Sequence, residues 1–227
     1  PTWIICLTEI RDWSDKNPEH VPILIMFNAK TGRSGYPDSK AALDFSEAAF
    51  EALDAETLRV FPRSKLIIPD DVRGNAKTLR EAILRRGWPS LNESRGKVFF
   101  ALDEGPGKVK LYMRGNASLE GLPMFVNSIN TEANHAAYFT INDPIQYQQL
   151  IQTTVSAGFI VRTRADANTI EARENTTSRR EAALNSGAHY VSTDYYLPRS
   201  DFSEYSVNLP AKSAARCNPI RLPVACK

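Results

Sequence analysis

Polar residues stand where several apolar runs of this sequence stop, and these are the places to look for chemistry. Asn28 and Lys30 follow Ile23-Leu24-Ile25-Met26-Phe27, Asp103 closes Lys97-Val98-Phe99-Phe100-Ala101-Leu102, and Asp194 closes Tyr190-Val191-Ser192-Thr193. Arg162 and Arg164 lie in Phe159-Ile160-Val161-Arg162-Thr163-Arg164. Two positions apart on a strand, these arginines point to the same side. Together they can grip a phosphate through paired guanidinium hydrogen bonds. The same residue types can instead form an ion-pair lattice with Asp166 and Asp194, and Lys30 reads equally as a phosphate contact or as an ordinary loop lysine.

The histidines point the other way. His20 precedes the first apolar run, His135 precedes a run at Ala137-Tyr138-Phe139-Thr140-Ile141-Asn142, and His189 begins the last one. None follows a strand, so none is placed beside the polar strand ends for acid or base work. No Ser/His/Asp triad, metal-binding histidine pair or paired glutamates stands out.

The elements that must carry these residues are legible from periodicity. A helix-period stripe of Trp3, Cys6, Leu7, Ile10 and Trp13 opens the chain. Asp38 is a cap for a helix from about Ser39 to Leu58 with Leu43, Phe50 and Leu53 on its apolar side. Residues 65–71 offer a short extra strand, and Thr78 caps a helix through Leu84. Further helices are expected over Ile145 to Ala157 and Ile170 to Asn185. Six apolar runs read as strands: those already named, with Met124-Phe125-Val126-Asn127 as the third. Strands alternating with helices and ending in polar residues indicate an α/β architecture with parallel strands.

A (β/α)8 TIM barrel has eight such strands and about 250 residues, with its chemistry at the strand C-terminal ends. Six strands in 227 residues therefore read as a barrel lacking its first two. An open doubly wound sheet competes, but no Gly-rich phosphate fingerprint follows the first strand. The expectation is one domain over 1–227 with an open seam between the first and last strands, whose edges favour aggregation. The start, Pro1-Thr2-Trp3 without an initiator methionine, reads as a cut through a longer protein, a processed mature N-terminus being the alternative.

A net charge of +2, from 28 basic against 26 acidic residues, gives no electrostatic basis for a nucleic-acid partner. No apolar run approaches the ~18 residues of a membrane span. Cys217 and Cys226 flank a Pro-rich tail with no zinc-type partners, which favours a disulfide between them. Cys6 is left with either a missing partner or a buried thiol. Sequons at Asn92, Asn116 and Asn175 fit secretion.

From Gly158 the chain reads GFIVRTRADANTIEAR, then SRREAALNSGAHYVSTDYY, and earlier IRDWS, NPEHVPI, RGWPSL and RGKV. In these strings it resembles the calcium-dependent phosphatidylinositol-specific phospholipases C. The resemblance covers essentially the whole chain. It implies a phosphodiesterase barrel that cleaves phosphatidylinositol to diacylglycerol and inositol phosphate through a cyclic phosphodiester. One histidine deprotonates the inositol 2-hydroxyl, which attacks phosphorus. A second protonates the leaving diacylglycerol oxygen, and calcium with basic residues holds the phosphorane.

In such enzymes both histidines belong to the first barrel strands, which this chain is expected to lack. Asn28 falls where relatives place an acidic calcium ligand; an amide oxygen binds calcium less strongly than a carboxylate. Lys30, Arg162 and Arg164 are then the expected phosphate or inositol contacts, with Asp103 and Asp194 as acceptors for inositol hydroxyls. The implied partners are phosphatidylinositol or an inositol phosphate and, transiently, a membrane surface. The implied protein is secreted and monomeric when complete. A glycerophosphodiester phosphodiesterase and a non-catalytic phosphoinositide-binding fragment are the rival readings.

Overall fold

The computed structural model describes residues 2–221, which fall into two compact units divided between Ala137 and Tyr138. In the first unit α1 (Trp3–Lys16) leads to β1 (Ile23–Phe27), α2 (Glu47–Val60) and three short helices, α3 (Pro69–Arg73), α4 (Leu79–Arg85) and α5 (Leu91–Ser94). Then come β2 (Val98–Leu102), α6 (Pro106–Met113) and β3 (Met124–Val126). The three strands form one parallel sheet in the order β1-β2-β3. Its register sets Ile23 opposite Val98 and Phe100 opposite Met124.

Every residue of β2 is buried, as a continuous apolar run requires when both faces of a parallel strand are covered. α1 covers one side through buried Leu7 and through Trp3, whose ring lies 5.2 Å from that of Phe27 and whose indole N–H donates to Thr57 at 3.2 Å. The extra strand expected at 65–71 reduces to a single parallel bridge between Leu66 and Val98.

The helix expected from Ser39 to Leu58 starts eight residues later. Ser46, not Asp38, is its cap: the Ser46 hydroxyl accepts from the Ala49 amide at 3.2 Å. Asp38 sits at φ +61°, outside helical geometry, and Leu43 is exposed rather than on the helix's apolar side. At Gly96 a side chain is excluded outright. Its φ is +67°, and a Cβ there would lie 2.4 Å from the carbonyl oxygen of Pro18. That contact fixes how the chain enters β2 beside β1.

The second unit holds β4 (Tyr138–Thr140), α7 (Gln148–Ser156), β5 (Ile160–Arg164), α8 (Ile170–Glu174), α9 (Ser178–Asn185) and β6 (Tyr190–Ser192). Its strands are again parallel, in the order β4-β5-β6, with Thr140 opposite Arg162 and Arg162 opposite Tyr190. Helices α7 and α9 pack on β5. The single helix expected over 170–185 is two. Asn175 adopts the left-handed conformation at φ 52°, which ends α8, and Ser178 begins α9.

After β6 the chain folds back on itself. Tyr195 and Tyr205 are buried with Ala172, and the Tyr205 hydroxyl donates to the Ala165 carbonyl at 2.9 Å. The expected Cys217–Cys226 bond involves Cys226, which lies outside the described residues. Cys6 is a free, half-buried thiol.

Candidate functional site

Each unit brings polar residues together at the C-terminal ends of its strands. In the first, Asn28 leaves β1 and its amide nitrogen donates to the backbone carbonyl of Asp103 and, at 3.4 Å, to the Asp103 carboxylate. The Asp103 amide in turn donates to the Phe27 carbonyl at 2.8 Å, so the ladder between β1 and β2 sets this pair. Lys30 is exposed two residues beyond Asn28. Next to Asp103, the Glu104 carboxylate pairs with Lys108 at 3.2 Å, and Lys108 also donates to the Ala29 carbonyl.

In the second unit Arg162 is the central group. Its residue is 6% exposed, and its guanidinium donates to the Asn142 side-chain oxygen at 2.5 Å and to the Ser192 hydroxyl at 2.6 Å. These two partners follow or end the strands on either side of β5, so register alone brings all three together. Arg164 is half-buried in register with Ser192.

The expected lattice with Asp166 and Asp194 takes a different form. Asp166 is buried and accepts from the Thr193 hydroxyl at 2.5 Å and the Asp194 amide at 3.0 Å, while Asp194 itself is exposed. Asp166 therefore shapes the turn after β6. Sequence reading singled out neither Asn142 nor Ser192; the signal for both was their place at strand ends flanking an arginine.

All three histidines precede strands. His20 shares a 2.7 Å hydrogen bond with Ser14 and packs against Trp13. Burial holds the His135 imidazole below its usual pKa. Burial, with Arg221 adding to it, lowers that of His189 to about 4, and its Nδ1 accepts from the Val161 amide at 3.3 Å. The residue itself is more than a third exposed, and its ring, an acceptor at the foot of β5, stands away from the polar strand ends.

A family model described as phosphoinositide phospholipase C, Ca2+-dependent, matches residues 1–219. The chain belongs to this family. Among solved structures it is similar to a calcium-dependent phosphoinositol-specific phospholipase C from a Gram-negative bacterium, Pseudomonas sp, described as apo form, myoinositol complex. The TM-score is 0.53 and the identity 21%, over 71% of this chain and 57% of that one. It is also similar to a Ca2+-dependent phosphatidylinositol-specific phospholipase C from Streptomyces antibioticus, with a TM-score of 0.59 and 18% identity over 86% of this chain and 70% of that one. The chain thus spans little more than half of the Pseudomonas structure. At these identities the likeness shows an α/β fold shared with the family's solved structures. No curated protein matches the chain.

The family is calcium-dependent. Asn28 and Asp103 are oxygen donors of the kind calcium prefers, but calcium takes six to eight oxygens. Among the described residues no group of three His, Cys, Asp or Glu side chains could hold a metal. Asn28 and Asp103 could supply two of these oxygens, the others coming from carbonyl groups, water or further residues. No helix among them is long and apolar enough to cross a membrane.

Proposed function

We propose that this chain forms the inositol-phosphate-gripping part of a phosphatidylinositol-specific phospholipase C. The observation that carries the reading is the buried Arg162 of β5, whose guanidinium is held by Asn142 and Ser192 at the ends of the neighbouring strands. Two of its nitrogens donate to Asn142 and Ser192, which fixes the direction of the side chain. Arg162 and Arg164 would bind the phosphate or the inositol ring, Lys30 would add a phosphate contact, and Asp103 and Asp194 would accept from inositol hydroxyls. Asn28 would lend its amide oxygen to calcium, with further ligands supplied from outside the described residues.

The fold reading that goes with this is a (β/α)8 barrel of the phosphodiesterase type, to which these residues contribute six strands. Two observations support it: all six strands are parallel within their sheets, and polar groups gather at their C-terminal ends. Secretion, transient contact with a membrane surface and a monomeric complete protein belong to the same proposal.

In the reaction itself the base takes the proton of the inositol 2-hydroxyl, whose oxygen then bonds to phosphorus. The bond from phosphorus to the glycerol oxygen breaks, and the acid protonates that oxygen. Neither role falls to His20, His135 or His189, each of which precedes a strand. General acid and base groups typically contribute 10²- to 10⁴-fold each. This chain by itself should therefore bind an inositol phosphate weakly and turn phosphatidylinositol over near background.

The test is calorimetry with inositol 1-phosphate beside a lipid-cleavage assay with calcium. Replacing Arg162 by Met should weaken binding by about tenfold to a hundredfold, the worth of hydrogen bonds to a charged group. Unchanged affinity in that variant refutes the substrate role of β5. Calcium-dependent turnover that His135→Ala or His189→Ala abolishes refutes the placement of the histidines.

A further inference from the structure

Among the described residues the two most exposed large apolar side chains are Leu43, at 88%, and Tyr36, at 81%. Both lie on the segment between β1 and α2, and that segment is built. The Ala42 amide donates to the Gly32 carbonyl at 2.8 Å in an antiparallel bridge, and the Ser39 hydroxyl donates to the Ser34 carbonyl at 3.0 Å. Its base is clamped by Phe45, whose ring lies 5.9 Å from that of Phe27 and 5.1 Å from that of Phe50. Beyond the bridge, residues 33–38 are all exposed. The result is a projecting ribbon rooted in the core at one end.

Its composition is particular. Lys30, Arg33 and Lys40 are exposed on or beside it, against Asp38 and Asp44. A tyrosine at a tip whose ribbon carries Arg33 and Lys40 against one acidic residue, Asp38, is the chemistry of a bilayer interface, where aromatic rings settle at headgroup level. Lysine and arginine there are drawn to anionic headgroups. Two isolated apolar side chains are too little for a stable protein interface, which needs roughly 800 Å² from each partner. The ribbon also grows from the strand end that carries Asn28 and Lys30, so a surface it engages lies next to that end of β1.

We propose that residues 31–43 are a bilayer-docking element, with Tyr36 and Leu43 entering an anionic lipid surface and Arg33 and Lys40 contacting its headgroups. The purpose of such an element rests on the phospholipase reading; its existence does not, and lipids without inositol test it separately. Co-sedimentation of the full chain with phosphatidylcholine vesicles, with and without phosphatidylglycerol, should show binding only to the anionic ones and its loss in high salt. Replacing Tyr36 and Leu43 by Ser should weaken that binding at least tenfold, the worth of burying one such side chain. Replacing Arg33 and Lys40 by Gln should weaken it about fivefold per charge removed.

Both variants should retain the wild-type melting temperature and the wild-type affinity for inositol 1-phosphate, since none of the four side chains is in the core or the grip. Failure of the unaltered chain to bind anionic vesicles, or equal binding by the variants, overturns the proposal. So does a Tyr36→Ser, Leu43→Ser variant that turns a dimer into a monomer in sedimentation, because the segment is then a contact between copies. Loss of inositol 1-phosphate binding in Arg162→Met bears only on the grip and leaves the docking result to stand by itself.

Discussion

Asp54 offers the sharpest test of how the first unit is held together. The residue is 6% exposed, and its carboxylate takes a 2.6 Å ion pair from Arg114 and a 3.1 Å hydrogen bond from the Tyr112 hydroxyl, which itself accepts from the Met124 amide. The cluster thus ties α2, through α6, to the start of β3. Burial raises the Asp54 pKa even though Arg114 opposes it, so desolvation outweighs attraction at this carboxyl. Removing the carboxylate alone, as in Asp54→Ala, strands the Arg114 guanidinium where only about a seventh of it reaches solvent and should cost about 3–5 kcal/mol.

Replacing both partners, Asp54→Leu with Arg114→Met, removes the stranded charge. What remains is the Tyr112 hydroxyl without its acceptor, about 1–3 kcal/mol. Urea unfolding of the wild type, the single variants and the double variant at neutral pH reads the difference. A double variant at least as unstable as Asp54→Ala refutes the view that desolvation dominates this pair.

Two further predictions concern other links in the fold. The His189 pKa is depressed to about 4 from an unfolded value near 6.5, so the stability it contributes is present above 6.5 and lost as pH falls through 4. More than a third of the residue reaches solvent, which keeps that loss small; a His189→Asn variant should show a slightly shallower acid slope in urea midpoints, and an unaltered slope refutes the assignment. Gly96→Ala should lower the melting temperature markedly, by about 1–3 kcal/mol of stability, because its methyl group meets the Pro18 carbonyl; a neutral effect means that the approach of these two segments is not tight.

The strands were legible because a strand buried on both faces must be a continuous apolar run, and β2 is the clearest case. Helix starts were less so. Asp38 and Ser46 are both good caps, and only the bridge between Gly32 and Ala42 decides between them, a contact that local propensity does not encode. The same error put Leu43 on an apolar helix face when it is the most exposed large apolar side chain described. For the candidate site, strand-end polarity pointed to Arg162, but its holders, Asn142 and Ser192, depend on register between strands 20 and 30 residues away. Periodicity tells which face a side chain takes; it does not tell which neighbour it meets. Asn175 likewise ends a helix that propensity would have continued.

The bond from Tyr205 to Ala165 closes a span of 40 residues across the turn that follows the arginine strand. During synthesis, then, β5 can pair with β4 while the chain is still growing, whereas the Tyr205 bond to the turn beyond Arg164 forms only once that residue has left the ribosome. A nascent chain stalled short of that residue would display its arginines on a strand whose exit is open. The order in which parts of the grip mature is thereby set by the direction of translation: Asn142 is made first, Arg162 second and Ser192 third, and the tyrosine that closes the turn behind them comes last.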